Sequence, residues 1–132
     1  MEHIVQTTKH NQMLNITHLV QEDVKDSGAR SGIVTIFIPH TTAAVTINEN
    51  ADSDVVHDIL LGLDKVSPDR REYLHFEGNS PAHIKASMMG SSSTIIIENG
   101  KLKLGTWQGI YFCEFDGPRT RKMYVKIIEG AL

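Results

Sequence analysis

The sequence predicts a single α+β domain over residues 1–132, largely antiparallel sheet with two or three helices. Three observations predict it. The length of 132 residues suits one domain and leaves little room for two. Helical periodicity is confined to stretches near 15–27, 52–64 and 80–89, while strand-like runs crowd the C-terminal half. Those runs are joined by Asn99-Gly100 and Asp116-Gly117-Pro118-Arg119. Such short turns return a strand beside its predecessor, whereas a parallel sheet needs long crossovers.

Taken in order, residues 2–8 read as an opening strand. A helix follows between Asn15 and Ser27, with Asn15 or Thr17 as cap, Leu19, Val20 and Val24 as apolar stripe, and Gly28 as stop. Ile33 to Ile38 and Ala43 to Ile47 are β-rich runs with few polar breaks, the pattern of strands buried on both faces. Residues 52–64 form the clearest helix: Val55, Val56, Ile59, Leu60 and Leu63 share one face, and Asp52 and Asp54 suit the positive end of the helix dipole. Ser80-Pro81 opens a third helix, with serine as N-cap and proline at the first helical position. Ile84, Met88 and Met89 are its expected buried face and Gly90 its end. Ser93 to Glu98 is a strand, Asn99-Gly100 a hairpin turn, and Lys101 to Leu104 the return. Gly109 to Phe115 and Lys122 to Ile128 are the last two strands.

Composition limits function. With 13 basic and 16 acidic residues, net −3, the chain lacks the basic stripe of a general nucleic-acid binder. Its longest basic run is Arg119-Thr120-Arg121-Lys122. The one cysteine, Cys113, cannot form an internal disulfide, and its apolar setting marks a buried, inert thiol. No signal pattern opens the chain, and no apolar stretch approaches the ~20 residues of a membrane span. A cytoplasmic protein with no membrane association is expected.

Seven histidines are the first unusual feature. His3, His10, His18 and His57 lie in polar contexts that predict surface positions. His40 ends a buried strand, His75 sits in Tyr73-Leu74-His75-Phe76-Glu77, and His83 lies in the first turn of a helix. Imidazole is the commonest nitrogen donor to zinc-like ions, and three ligands with one open position is a catalytic pattern. Spacing alone does not bring the three together. Thr46-Ile47-Asn48-Glu49-Asn50-Ala51-Asp52 is the second feature. It is either a loop with an N-cap or a segment presenting Asn48 or Glu49 beside His40, to hydrogen-bond a metal's ligand or act as general base. The third is Gly105-Thr106-Trp107-Gln108-Gly109, where Trp107 either floors a pocket, with Gln108 supplying amide hydrogen bonds, or packs inward on a bulged hairpin. The fourth is Glu114-Phe115-Asp116-Gly117-Pro118-Arg119, whose turn holds an arginine fork suited to phosphate or carboxylate, unless it is an unengaged surface arginine. Gly90-Ser91-Ser92-Ser93 lacks a Walker lysine and precedes a strand, so it reads as a helix-ending loop.

In order, Pro39-His40-Thr41-Thr42-Ala43-Ala44, Asn48-Glu49-Asn50-Ala51-Asp52, His75 with Asn79-Ser80-Pro81-Ala82-His83, Gly100-Lys101-Leu102, Leu104-Gly105-Thr106-Trp107-Gln108 and Glu114-Phe115-Asp116-Gly117-Pro118-Arg119 resemble the YjbQ-like family. That family is also labelled secondary thiamine-phosphate synthase. The resemblance runs from about Thr35 to Ile128. It implies a small α+β domain in a homotrimer, with the histidine site near a subunit boundary. It also implies a divalent metal, zinc foremost and magnesium as the alternative for diphosphate chemistry, on His40, His75 and His83. The implied activity joins a pyrimidine diphosphate to a thiazole phosphate and releases pyrophosphate, as a secondary activity. On that reading Glu49 and Arg119 are catalytic, and Asn48, Asn79, Trp107, Gln108 and Arg119 bind a small phosphorylated heterocycle. The competing expectations are a hydrolase with a zinc-bound water in the same site and a non-catalytic, metal-binding trimeric module.

Overall fold

The structure, a computed structural model, describes residues 1–131. Its strands are β1 (Glu2–Gln6), β2 (Gln12–Asn15), β3 (Ser31–Phe37), β4 (Ala43–Glu49), β5 (Ser92–Glu98), β6 (Lys101–Leu102), β7 (Gln108–Glu114) and β8 (Thr120–Glu129). Its helices are α1 (Thr17–Ser27), α2 (Ser53–Val66) and α3 (Ser80–Met89). A five-stranded sheet has the order β1-β8-β3-β5-β6 and a three-stranded sheet the order β2-β7-β4. Every pairing is antiparallel. The α+β class with a mostly antiparallel sheet follows.

The three-stranded sheet is the middle layer, because β4 and β7 carry apolar side chains on both faces. Ala43, Val45, Ile110 and Phe112 meet Val34, Ile36, Met123 and Val125 of the larger sheet, and Val20 and Val24 of α1 join the same core. On the opposite face, Ala44, Tyr111, Cys113 and Phe115 lie under Ala82 and Ala86 of α3 and the half-buried Val56, Ile59, Leu60 and Leu63 of α2. The Ala43–Ile47 run therefore begins as the doubly buried strand its composition predicts. The Ile33–Ile38 run does not. Val34 and Ile36 are buried but Ile33 and Phe37 are exposed, since β3 lies in the outer sheet, whose packed layer is on one side only.

Helix ends follow the sequence with small shifts. Gly28 closes α1 in the left-handed conformation, its N–H donating to the Lys25 carbonyl. Asn15 Oδ1 accepts from the Thr17 N–H at 3.0 Å, although Ile16 occupies the cap position itself. Asp52 caps α2, accepting from the Asp54 N–H at 2.9 Å. The cap of α3 is Asn79 rather than Ser80. Its buried face is Ala82, Lys85 and Ala86, while Met88 is exposed. Small residues let α3 lie close on the sheet, and Lys85 runs its stem inward to pair with Asp64, its ammonium 5.9 Å from the Phe115 ring centroid. Glu98 pairs with Lys101 across the Asn99-Gly100 turn, as the sequence predicts, but the return strand ends at Leu102.

His10, His18 and His57 are exposed as expected. His3 is not. Its Nε2 lies 2.6 Å from Oδ2 of the buried Asp23, so it is half-buried and hydrogen-bonded to α1. No described helix is long and apolar enough to cross a membrane. Cys113 is fully buried, and burial pushes its thiol up to about 12. The folded protein is expected to resist an aromatic disulfide reagent at pH 8 and to react with one equivalent in urea. Rapid reaction without denaturant would contradict this placement.

Candidate functional site

The crossing from the outer sheet to the middle sheet builds the site. After β3, Ile38 is anchored by its N–H to the Ser91 carbonyl at 2.8 Å, and Pro39-His40-Thr41-Thr42 leads into β4. His40 Nε2 accepts the backbone N–H of Lys122 at 2.9 Å. That bond fixes a neutral tautomer with its proton on Nδ1. Partial burial, then the nearby Arg121 charge, holds the His40 pKa below the ordinary histidine value.

His75 lies on the loop between α2 and α3, flanked by Leu74 and Phe76, which are 97% and 93% exposed. The apolar neighbours therefore do not bury it. Its ring stands edge-to-face with His83, centroids 5.4 Å apart, and its Nε2 is 3.7 Å from Glu77 Oε1. His83 projects from the first turns of α3.

A buried ion pair braces this region. Along β8, Arg121, Met123 and Val125 alternate inward, and the guanidinium of Arg121 meets Glu114 at the end of β7. Glu114 Oε1 accepts from Arg121 Nε and Thr7 Oγ1, both at 2.8 Å. Its Oε2 accepts from Arg121 Nη2 and from the Asp116 N–H. Arg121 Nη2 also donates to Thr42 Oγ1 at 2.8 Å, which ties the His40 loop to the pair. Burial alone would raise the Glu114 carboxyl, but the bonds from Arg121, the Asp116 N–H and Thr7 outweigh it and hold its pKa below the usual value.

The turn after β7 positions Arg119. Gly117 donates its N–H to the His10 carbonyl, and a Cβ there would lie 2.4 Å from the Lys9 carbonyl oxygen, so glycine is required. Arg119 Nε donates to the Asp116 carbonyl and Nη2 to Asp116 Oδ2, both at 2.8 Å. Asn79 Nδ2 donates to Asp116 Oδ2 at 2.9 Å, while Asn79 Oδ1 is buried with no partner among the described residues. Asp116 is thereby held ionised: burial opposes it, and the bonds from Asn79 and Arg119 prevail.

His40, His75, His83, Asn79, Arg119 and Arg121 line one cavity of about 390 Å³. Five of these six are sequence-predicted site residues. Arg121 is the one sequence reasoning missed. The available signal was its parity: an arginine in register with Met123 and Val125 must point inward, and a buried cation demands a carboxylate.

The other predicted residues lie elsewhere. Glu49 is at the far end of β4 from Ala43, roughly 20 Å away at ~3.3 Å per residue. A base at Glu49 or Asn48 beside His40 is therefore not formed within one chain. Glu49 sits opposite Gln108, and Asn48 Oδ1 accepts the Glu49 N–H. Gln108 Oε1 accepts the Gly105 N–H at 2.8 Å, so its amide closes its own turn. Trp107 is 62% exposed, neither packed inward nor part of the histidine cavity. Asp52 serves as the α2 cap.

The histidine set fits a metal in kind but only partly in arrangement. Among the described residues, no three His, Cys, Asp or Glu side chains stand close enough to hold an ion. His75 and His83 face one another, whereas His40 has committed Nε2 to a backbone N–H and carries its proton on the other nitrogen. His75 and His83 thus form a facing pair, and His40 stands on the same cavity with its Nε2 engaged by Lys122.

Known proteins share this fold and sequence. A family model described as UPF0047 protein YjbQ-like matches residues 1–130. The UPF0047 protein YugU of Bacillus subtilis is 53% identical over 125 residues, covering 94% of this chain and 95% of its own. A UPF0047 protein of Methanocaldococcus jannaschii is 52% identical over 124 residues, covering 94% and 90%. A solved YjbQ/UPF0047-family structure from Clostridium acetobutylicum superposes with a TM-score of 0.95 at 62% identity, covering 97% of this chain and 99% of that one. A YbjQ-like protein of unknown function from Sulfolobus solfataricus gives 0.93 at 33% identity, covering 98% and 96%. The chain belongs to the YjbQ-like UPF0047 family.

Proposed function

We propose that the histidine–arginine cavity binds the phosphate or diphosphate of a small phosphorylated molecule, and that the chain is an enzyme acting on it. One observation carries this reading: three imidazoles and two guanidinium groups, far apart in sequence, line a single cavity. Arg119 and Arg121 offer the positive field that phosphoryl oxygens need, and each is held in place by a carboxylate. His40, kept neutral, presents an Nδ1–H that can donate to a substrate oxygen without carrying charge.

A divalent cation, zinc or magnesium, would be held by His75 and His83. When bound it would neutralise charge on a phosphate or pyrophosphate leaving group. The thiamine-phosphate reaction shares the pyrophosphate leaving group and would be a secondary activity of this site. Glu49, Asn48, Trp107 and Gln108 take part in such a site if a neighbouring subunit of a homotrimer supplies them. The outer face of the five-stranded sheet, with Ile4, Phe37, Ile96 and Ile128 exposed, gives that association an apolar surface.

Calorimetric titration with inorganic phosphate and pyrophosphate tests the reading. Both are expected to bind, and Arg119→Ala to weaken pyrophosphate by about tenfold, the worth of one charge-assisted contact. If neither anion binds the metal-loaded protein, the proposal is wrong.

A further inference from the structure

The histidine cavity is half of a larger cleft. A second cavity, about 400 Å³, adjoins it and shares His40, Thr41 and His83 as a common wall. The two halves differ in chemistry. The first carries both guanidinium groups. The second is lined by Thr41, Ser87, Gly90 and Ser91 with two alanines and the shared imidazoles, and no Asp, Glu, Lys or Arg lines it.

From this partition we infer that the site's own substrate, as distinct from a secondary activity, is a phosphate ester whose non-phosphate portion is a neutral, hydroxylated group: a polyol or sugar phosphate. The inference rests on the phosphate reading of the first cavity and adds the identity of the other half. An ionised group in the second cavity would be desolvated with no counter-charge. Hydroxyls suit it, because Ser and Thr hydroxyls both donate and accept. Ser87 Oγ already donates to the His83 carbonyl at 2.9 Å, which leaves its lone pairs for a ligand O–H. At Gly90 an added Cβ would meet nothing within 4 Å, so the wall there is open to a ligand. A molecule occupying both halves places its ester linkage between His40 and His83.

The test is a calorimetric series on the whole protein: inorganic phosphate, glycerol 3-phosphate, ribose 5-phosphate and phenyl phosphate. At least one hydroxylated ester is expected to bind about tenfold or more tighter than inorganic phosphate, and phenyl phosphate to gain less than that ester. Ser91→Phe, at an exposed position on the second cavity, is expected to bring the hydroxylated esters down to the affinity of inorganic phosphate. If inorganic phosphate binds but the hydroxylated esters gain nothing, or phenyl phosphate gains most, the inference falls and the phosphate reading stands. If inorganic phosphate itself fails to bind, the phosphate reading falls and takes the inference with it. The wild-type series decides the matter even if Ser91→Phe fails to fold.

Discussion

Replacing Glu114 with alanine is expected to destabilise the fold by about 3–5 kcal/mol, which lowers Tm by roughly 10–25 °C for a domain of this size. Glu114 is fully buried and takes bonds from Arg121, Thr7 and the Asp116 N–H. Its removal leaves the Arg121 guanidinium, itself 4% exposed, without a counter-charge. The magnitude follows from the uncompensated cation and not from the attraction lost, because an intact buried pair is close to neutral against an apolar substitute. The double variant Glu114→Leu with Arg121→Met is therefore expected to recover most of the loss. Urea denaturation of both variants checks the argument. A Glu114→Ala protein within about 1 kcal/mol of wild type would mean that water reaches the pair.

The same group gives stability a dependence on pH. The Glu114 pKa is lower in the folded chain than in the unfolded one, so its contribution is fully present above the unfolded carboxylate value and is lost as pH falls through the folded value. His40 acts in the same direction for a different reason. Its folded pKa is depressed by burial and by Arg121, so the unfolded chain takes up a proton first, and stability falls as pH drops below the unfolded histidine value. Stability is expected to decline in two stages on acidification, the first removed by His40→Ala and the second reduced by the Glu114 double variant, with Asp116 supplying the remainder. Both are read from urea midpoints across pH 3–8.

The fold was legible because the β-rich runs, Asn99-Gly100 and the α2 stripe each report on local geometry. Three histidines and Arg119 were legible as chemistry, but their meeting was not, since His40 and His83 are joined only by the packing of α3 on β4. Exposure was misread where composition stood for environment. His75 stands between the apolar Leu74 and Phe76, yet both are exposed to solvent. Glu49 beside His40 is one of two readings of its segment, and the extended strand between them sets Glu49 at the far end of β4. Arg121 was hidden in a run of charges whose alternate members face opposite sides of β8.

Zinc titration in competition with a chelator is expected to separate the three histidines. His83→Ala and His75→Ala should each weaken zinc by at least about 100-fold, since loss of a mere outer-shell partner already costs about 10–100-fold. His40→Ala should cost no more than about tenfold. Its Nε2 lone pair is already engaged by the Lys122 N–H, and ligation through Nδ1 would require an imidazolate. A His40→Ala protein stripped of zinc as completely as His83→Ala would show that the ring abandons Lys122 to become a ligand. Zinc affinity untouched by both His75→Ala and His83→Ala would remove the metal from the site and leave the two arginines and Glu77 as its charged lining. The outcome matters for chemistry because a His40 free of metal keeps a neutral N–H on the shared wall of the two cavities, where a departing oxygen would need it.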